Sequence, residues 1–186
     1  MIRIIGLGGT TKPNSSTELA LRVALDAAQN LGAKIEMFDG EFLTHLPHYG
    51  TEQACGSELA QMFLDAVREA DGIIIASPGY HGSLSGLVKN AIDYLEETAG
   101  DERPYLDGRP VGLVATAYGW QAAGNTLATL RSISHALRGW PTPMGVMLRG
   151  GSDAFERNRC RDQQTQNQLE TVAQQVMYLA TKLSEK

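Results

Sequence analysis

The chain has 186 residues, 42% hydrophobic and 20% charged, with a net charge of −5. These values suit one globular domain with a full core, and a mildly acidic chain without a basic block argues against nonspecific nucleic-acid binding. No apolar run approaches the roughly 18 residues of a membrane span. The N-terminus lacks the basic start and long apolar core of a signal peptide, so a cytoplasmic location is expected. Cys55 and Cys160 form no CxxC pair and lie in no nucleophile motif, so reduced thiols are expected.

In chain order, residues 2–7 read as a first strand, followed by a loop of glycines and hydroxyls from Gly8 to Thr17. A helix over 16–31 stops at Gly32, and a second strand spans 34–38. Residues 39–56 read as irregular, and Ser57 opens the second helix. The run Gly72-Ile73-Ile74-Ile75-Ala76-Ser77 reads as a strand buried on both faces. After it, Leu84, Leu87, Val88, Ala91, Ile92 and Leu95 keep helical spacing. Between the two, Pro78 is expected to end the sheet ladder and Ser83 to cap the helix. A polar loop over 100–110 leads to a fourth strand over 111–116, a loop over 117–125 and a helix to about residue 137. A fifth strand spans 144–148. After a polar break around Gly150-Gly151-Ser152-Asp153, a last helix covers 162–183.

Five strands alternating with five helices in units of about 30 residues indicate an α/β protein with a doubly wound parallel sheet and helices on both faces. One domain, residues 1–186, is expected. With right-handed crossovers, the flavodoxin-like strand order 2-1-3-4-5 fits best. In that order the chain reverses between strands one and three, and the loops after strands one, three and four converge on one crevice.

The chemistry of those loops suits a phosphorylated planar ligand. Thr10, Thr11, Ser15, Ser16 and Thr17 offer hydroxyls beside free helix-end N–H groups, and Lys12 adds one positive charge. Ser15 to Glu18 also fits a capping box. A P-loop fails for want of a second glycine followed by lysine, and a dinucleotide fingerprint fails at Thr11, although Asp39 is placed as a ribose-binding acid would be. The second loop, residues 78–83, offers backbone N–H groups along a flat ring. The third loop, with Tyr118 and Trp120, faces that ring's other edge. His45 and His48 with His81 form a weak metal pattern, without a helix to set their spacing, and no metal is expected.

Two stretches carry a family resemblance. The first loop resembles the G-S-x-R-x-x-S-x-[NS] phosphate loop of the NADPH-dependent FMN reductases. The second, Ser77-Pro78-Gly79-Tyr80-His81-Gly82-Ser83-Leu84-Ser85-Gly86-Leu87-Val88-Lys89-Asn90-Ala91-Ile92-Asp93-Tyr94-Leu95, resembles their S-P-E-Y-N-G-S-x-[PS]-G-x-L-K-N-x-[IL]-D-x-L signature. The resemblance implies FMN and NADPH as cofactors, a small-molecule acceptor such as a flavin or quinone, and a homodimer or homotetramer. By position it implies that Thr10, Lys12, Ser15, Ser16 and Thr17 hold the phosphate, with Ser15, Ser16 and Thr17 competing for two places. It implies that Pro78, Gly79, Tyr80, His81 and Gly82 line the isoalloxazine, and that Thr116, Ala117, Tyr118 and Gly119 lie at its pyrimidine edge. The chain departs from the pattern at Lys12 (arginine in the family), Gly79 (acidic) and His81 (asparagine).

On this reading no side chain is a nucleophile. Hydride passes from the nicotinamide to flavin N5 and the electrons go on to the acceptor. His48 and Tyr49 are placed at the substrate opening. Lys89 and Asp93 are set to pair, or Asn90, Asp93 and Tyr94 belong to a subunit contact. Lys12, Arg103 and Arg149 are candidates for an NADPH phosphate. The alternative function is an FMN-binding electron carrier without NAD(P)H oxidation of its own.

Overall fold

A computed structural model describes residues 1–156 and 159–185. Its strands are β1 (Arg3–Gly8), β2 (Lys34–Phe38), β3 (Gly72–Tyr80), β4 (Ser83–Leu84), β5 (Pro110–Ala117), β6 (Trp140–Arg149), β7 (Phe155–Glu156) and β8 (Arg159–Cys160). Its α-helices are α1 (Ser16–Asn30), α2 (Gly40–His45), α3 (Glu58–Glu69), α4 (Gly86–Asp93), α5 (Trp120–Ala136) and α6 (Gln163–Ser184).

Five parallel strands lie in the order β2-β1-β3-β5-β6, with the short β4 antiparallel to the end of β3. Numbered without β4, the parallel strands follow the expected 2-1-3-4-5 order. The expected five-stranded sheet gains a sixth member, and β7 and β8, which follow β6, form a separate antiparallel pair. Successive side chains of a strand point to opposite faces, so the core is double. Ile4, Ile74, Val114 and Val146 pack under α1 and α6. Ile5, Leu7, Ile73, Ile75 and Leu113 pack under α3 and α4, with Leu130 of α5 among them. α6 makes its contact with Leu169, Val172, Ala173, Val176 and Ala180, all fully buried and one or two turns apart.

Four local expectations are corrected. β3 does not end at Pro78: it runs on to Tyr80, with Pro78 opposite Thr116 of β5. The proline is tolerated there because it forms the last pair of the β3–β5 ladder. Ser83 belongs to β4, and the helix cap is Ser85, whose Oγ accepts from Val88 N at 3.3 Å. Residues 40–45 are helical rather than irregular, because Asp39 Oδ1 accepts from both Glu41 N and Phe42 N at 3.1 Å. β6 begins at Trp140, ahead of the expected strand, and takes in Pro141 and Pro143. Among the described residues no helix is long and apolar enough to cross a membrane.

Candidate functional site

The two ends of the sheet differ in what they leave open. At the amino end, Arg109 is fully buried and donates to the carbonyls of Ala70, Tyr105 and Arg68 at 2.9, 3.1 and 3.0 Å. Burial lowers its pKa to about 10, with Arg103 nearby pushing the same way, so the group stays charged at neutral pH. The Arg103 guanidinium is likewise engaged by the carbonyls of Asp107, Gly108 and Ala70. These cations seal the end of α3 and the start of β5. That removes Arg103 as a candidate for a cofactor phosphate.

At the carboxyl end a cleft of about 310 Å³ opens. Thr10, Lys12, Ser15, Ser16 and Thr17 of the first loop line it. Ser15 caps α1, its Oγ accepting from Glu18 N at 3.3 Å. The N–H groups of Ser16 and Thr17 belong to the first turn, where no intrahelical acceptor exists. Glu18 accepts from Asn14 N and pairs with Arg22, so its carboxylate is held off the cleft. Pro78, Gly79 and Tyr80 form a second wall, and Thr116, Ala117 and Tyr118 a third. First and third loops are joined directly: Thr17 Oγ1 and Thr116 Oγ1 lie 2.6 Å apart, both buried. The second loop is pinned by Ser77, whose buried hydroxyl donates to Pro78 O and accepts from Ser85 N.

Three of the residues expected at the site are not among those lining the cleft. His81 and Gly82 form the two-residue turn between β3 and β4, with φ of 51° and 87°, and do not line the cleft. Positive φ at both central positions defines the hairpin turn in which Asn-Gly is preferred. His81 therefore stands where asparagine is usual because both residues tolerate that conformation. Gly119 caps α5 and also lies off the cleft. Trp120 starts α5, 57% exposed, near but not within the lining.

His48 and Tyr49 do not flank the opening. Tyr49 N donates to Asn90 Oδ1, its hydroxyl reaches Glu97, and its ring meets Tyr94 edge-on. Asn90 and Tyr94 both donate to Pro47 O, so their polar atoms tie this loop to α4 rather than facing a neighbour. Lys89 and Asp93 pair as expected. Asp39 has its carboxylate occupied in capping α2. Arg149 is exposed at the carboxyl end, opposite Ala117.

A segment the sequence marked only as a polar break, Gly150, Gly151 and Ser152, closes the cleft as a fourth wall. The signal was its position: it follows the carboxyl end of β6, next to β5 and its loop. A hollow of about 590 Å³ by Tyr49, Cys55 and Tyr94 is larger than the cleft. It lies off the strand ends and lacks the hydroxyl-rich helix start of the first loop, so the smaller site is the better candidate.

The cleft's chemistry suits FMN. Helix-end N–H groups, hydroxyls and one lysine stand at one end; a side-chain-free Gly79 and two exposed tyrosines stand at the other.

A family model described as NADPH-dependent FMN reductase matches residues 2–153. The chain belongs to this family. It is an NAD(P)H-dependent flavin oxidoreductase with FMN and NADPH as its cofactors. An FMN-dependent NADPH-azoreductase of Staphylococcus aureus is 31% identical over 143 residues, 74% of this chain and 72% of the relative. A solved flavoenzyme, NAD(P)H:(acceptor) oxidoreductase from Paracoccus denitrificans, shares the fold with a TM-score of 0.71 at 19% identity, covering 98% of each chain. An archaeal flavodoxin structure shares it at a TM-score of 0.65 and 10% identity, over 98% of this chain and 99% of its own. The chain thus has a flavodoxin-like fold.

Proposed function

We propose that this chain uses NADPH to reduce planar aromatic acceptors, quinones and azo dyes, at an FMN held in the carboxyl-end cleft. The observation that carries the reading is the cleft itself, in which loops from separate crossovers bring unengaged helix-end donors and exposed aromatic rings together. In this reading Thr10, Lys12, Ser15, Ser16 and Thr17 hold the phosphate. Pro78, Gly79 and Tyr80 support the ring on one side, and Thr116, Ala117 and Tyr118 border its pyrimidine edge. His81 and Gly82 act indirectly, by holding the hairpin that aims Tyr80, and Gly119 does so by starting α5.

FMN bound there would supply the redox chemistry, hydride transfer from NADPH and onward reduction of the acceptor. The protein's part is to position and to leave open. In this reading, backbone N–H groups of the second and third loops would serve as donors to a reduced, anionic ring. Tyr80 is 54% exposed and Tyr118 90% exposed, so a flat partner has aromatic faces to rest on at the mouth. With Arg103 engaged elsewhere, Arg149 is the best-placed cation for the extra phosphate of NADPH, since Lys12 lies in the FMN end. The same reading includes a homodimer or homotetramer, supported by the exposed Trp140 and Tyr178 on one apolar groove.

The test is NADPH oxidation by the flavin-loaded protein with quinone, azo dye, free FMN and a metal oxyanion compared. Quinone and azo dye are expected to be turned over fastest. A colourless protein that ignores added FMN ends the reading.

A further inference from the structure

The fourth wall of the cleft has an architecture of its own, and the role inferred for it rests on FMN being the occupant. At its near end, Gly150 N donates to Ala117 O at 3.3 Å, on the ring side of the cleft. At its far end, Phe155 is buried against α1 and α6. The anchor is reinforced by Arg161 N donating to Ala154 O at 2.8 Å and Cys160 N donating to the buried Gln166 Oε1 at 2.8 Å. Between these two anchors, residues 151 and 152 line the cleft together with the first loop, and Ser152–Ala154 lies against α1.

The phosphate end needs what this segment offers. Lys12 is the one cation among the described lining side chains, and a phosphomonoester carries close to two negative charges at neutral pH. Neutral donors must supply the balance. Gly151 N, Ser152 N and Ser152 Oγ have no hydrogen-bond partner among the described residues. We propose that residues 150–152 strap the FMN phosphate as the wall that completes the cleft beside the first loop, with Ser152 as a direct donor. The cofactor is thereby enclosed at its charged end and retained through turnover as a prosthetic group.

The experiment titrates the full-length apo protein with FMN and with riboflavin, by quenching of flavin fluorescence, for the wild type, Ser152→Ala and Ser152→Asp. Ser152 is exposed, so neither replacement disturbs the core, and melting curves without flavin verify this. Loss of one hydrogen bond to a charged group is expected to weaken FMN binding about tenfold in Ser152→Ala. Ser152→Asp, which sets a carboxylate against the phosphate, is expected to weaken it further. Riboflavin affinity stays within about twofold in both, because it lacks the phosphate. FMN should co-elute with the wild type on gel filtration and be lost from Ser152→Asp. An FMN-to-riboflavin preference in both variants equal to the wild type's overturns the proposal. A wild type that binds neither flavin overturns the FMN reading beneath it, a distinguishable result.

Discussion

Lys12 and His81 show how differently two loop residues act although the sequence marks both as ligand contacts. Lys12 lines the cleft as its one cation among the described residues. Lys12→Met is expected to lower FMN affinity about tenfold and to flatten its salt dependence, with riboflavin unchanged, as fluorescence titration at two ionic strengths would show. His81 works through the backbone, at φ 51° in the hairpin turn. A β-branched residue is strained there, so His81→Val should lower stability by about 1–2 kcal/mol while His81→Asn preserves it, read from urea midpoints. Gly82→Val belongs with His81→Val: its effect on FMN would come through the turn, not by intrusion into the cleft. The family motif marked this pair by position alone. It did not reveal that the Asn-Gly preference is turn chemistry, since a motif records which residue occurs and not which way it points.

At the level of elements, the close approach of α5 to β3 constrains the second loop. A Cβ on Gly79 would come within 2.6 Å of Thr126 Oγ1, a buried hydroxyl without a partner among the described residues. Gly79→Ala should cost about 1–3 kcal/mol by overpacking. Thr126→Val, which keeps the shape and deletes the unsatisfied group, should stabilise by about 1 kcal/mol. A double-mutant cycle of Gly79→Ala with Thr126→Ala is expected to show coupling above about 1 kcal/mol; additive effects would contradict the contact. Where the family carries an acidic side chain, this chain instead packs helix on strand. Arg109→Met should cost about 3 kcal/mol or more, because three carbonyls lose their donor. The strands at the sheet's centre were legible because unbroken β-branched runs have few other uses. β4, α2 and the first half of β6 were not: β4 has two residues and α2 six, and the prolines of β6 disguise a strand.

For the whole molecule, the convergence of three loops followed from counting strands and applying the handedness of crossovers. The fourth wall did not, because its composition is that of any glycine-rich turn and only its neighbour β5 gives it meaning. A site assembled from four distant parts of the chain exists only in the folded state. Saturating FMN at about a hundred times its dissociation constant should therefore raise stability by about 2.7 kcal/mol, seen as a shift of the thermal midpoint. The sheet's margins matter beyond the site. Trp140 N donates inward to Arg109 O, so by alternation the nitrogen of Pro141 looks outward, where it has no hydrogen to offer, and Pro143 takes a second donor from the same strand. The opposite margin, β2, presents exposed Lys34 and Glu36. Prolines on one border and charges on the other disfavour pairing with another β-ribbon, which guards the chain against amyloid-like stacking and leaves self-assembly to side chains meeting across helices and grooves.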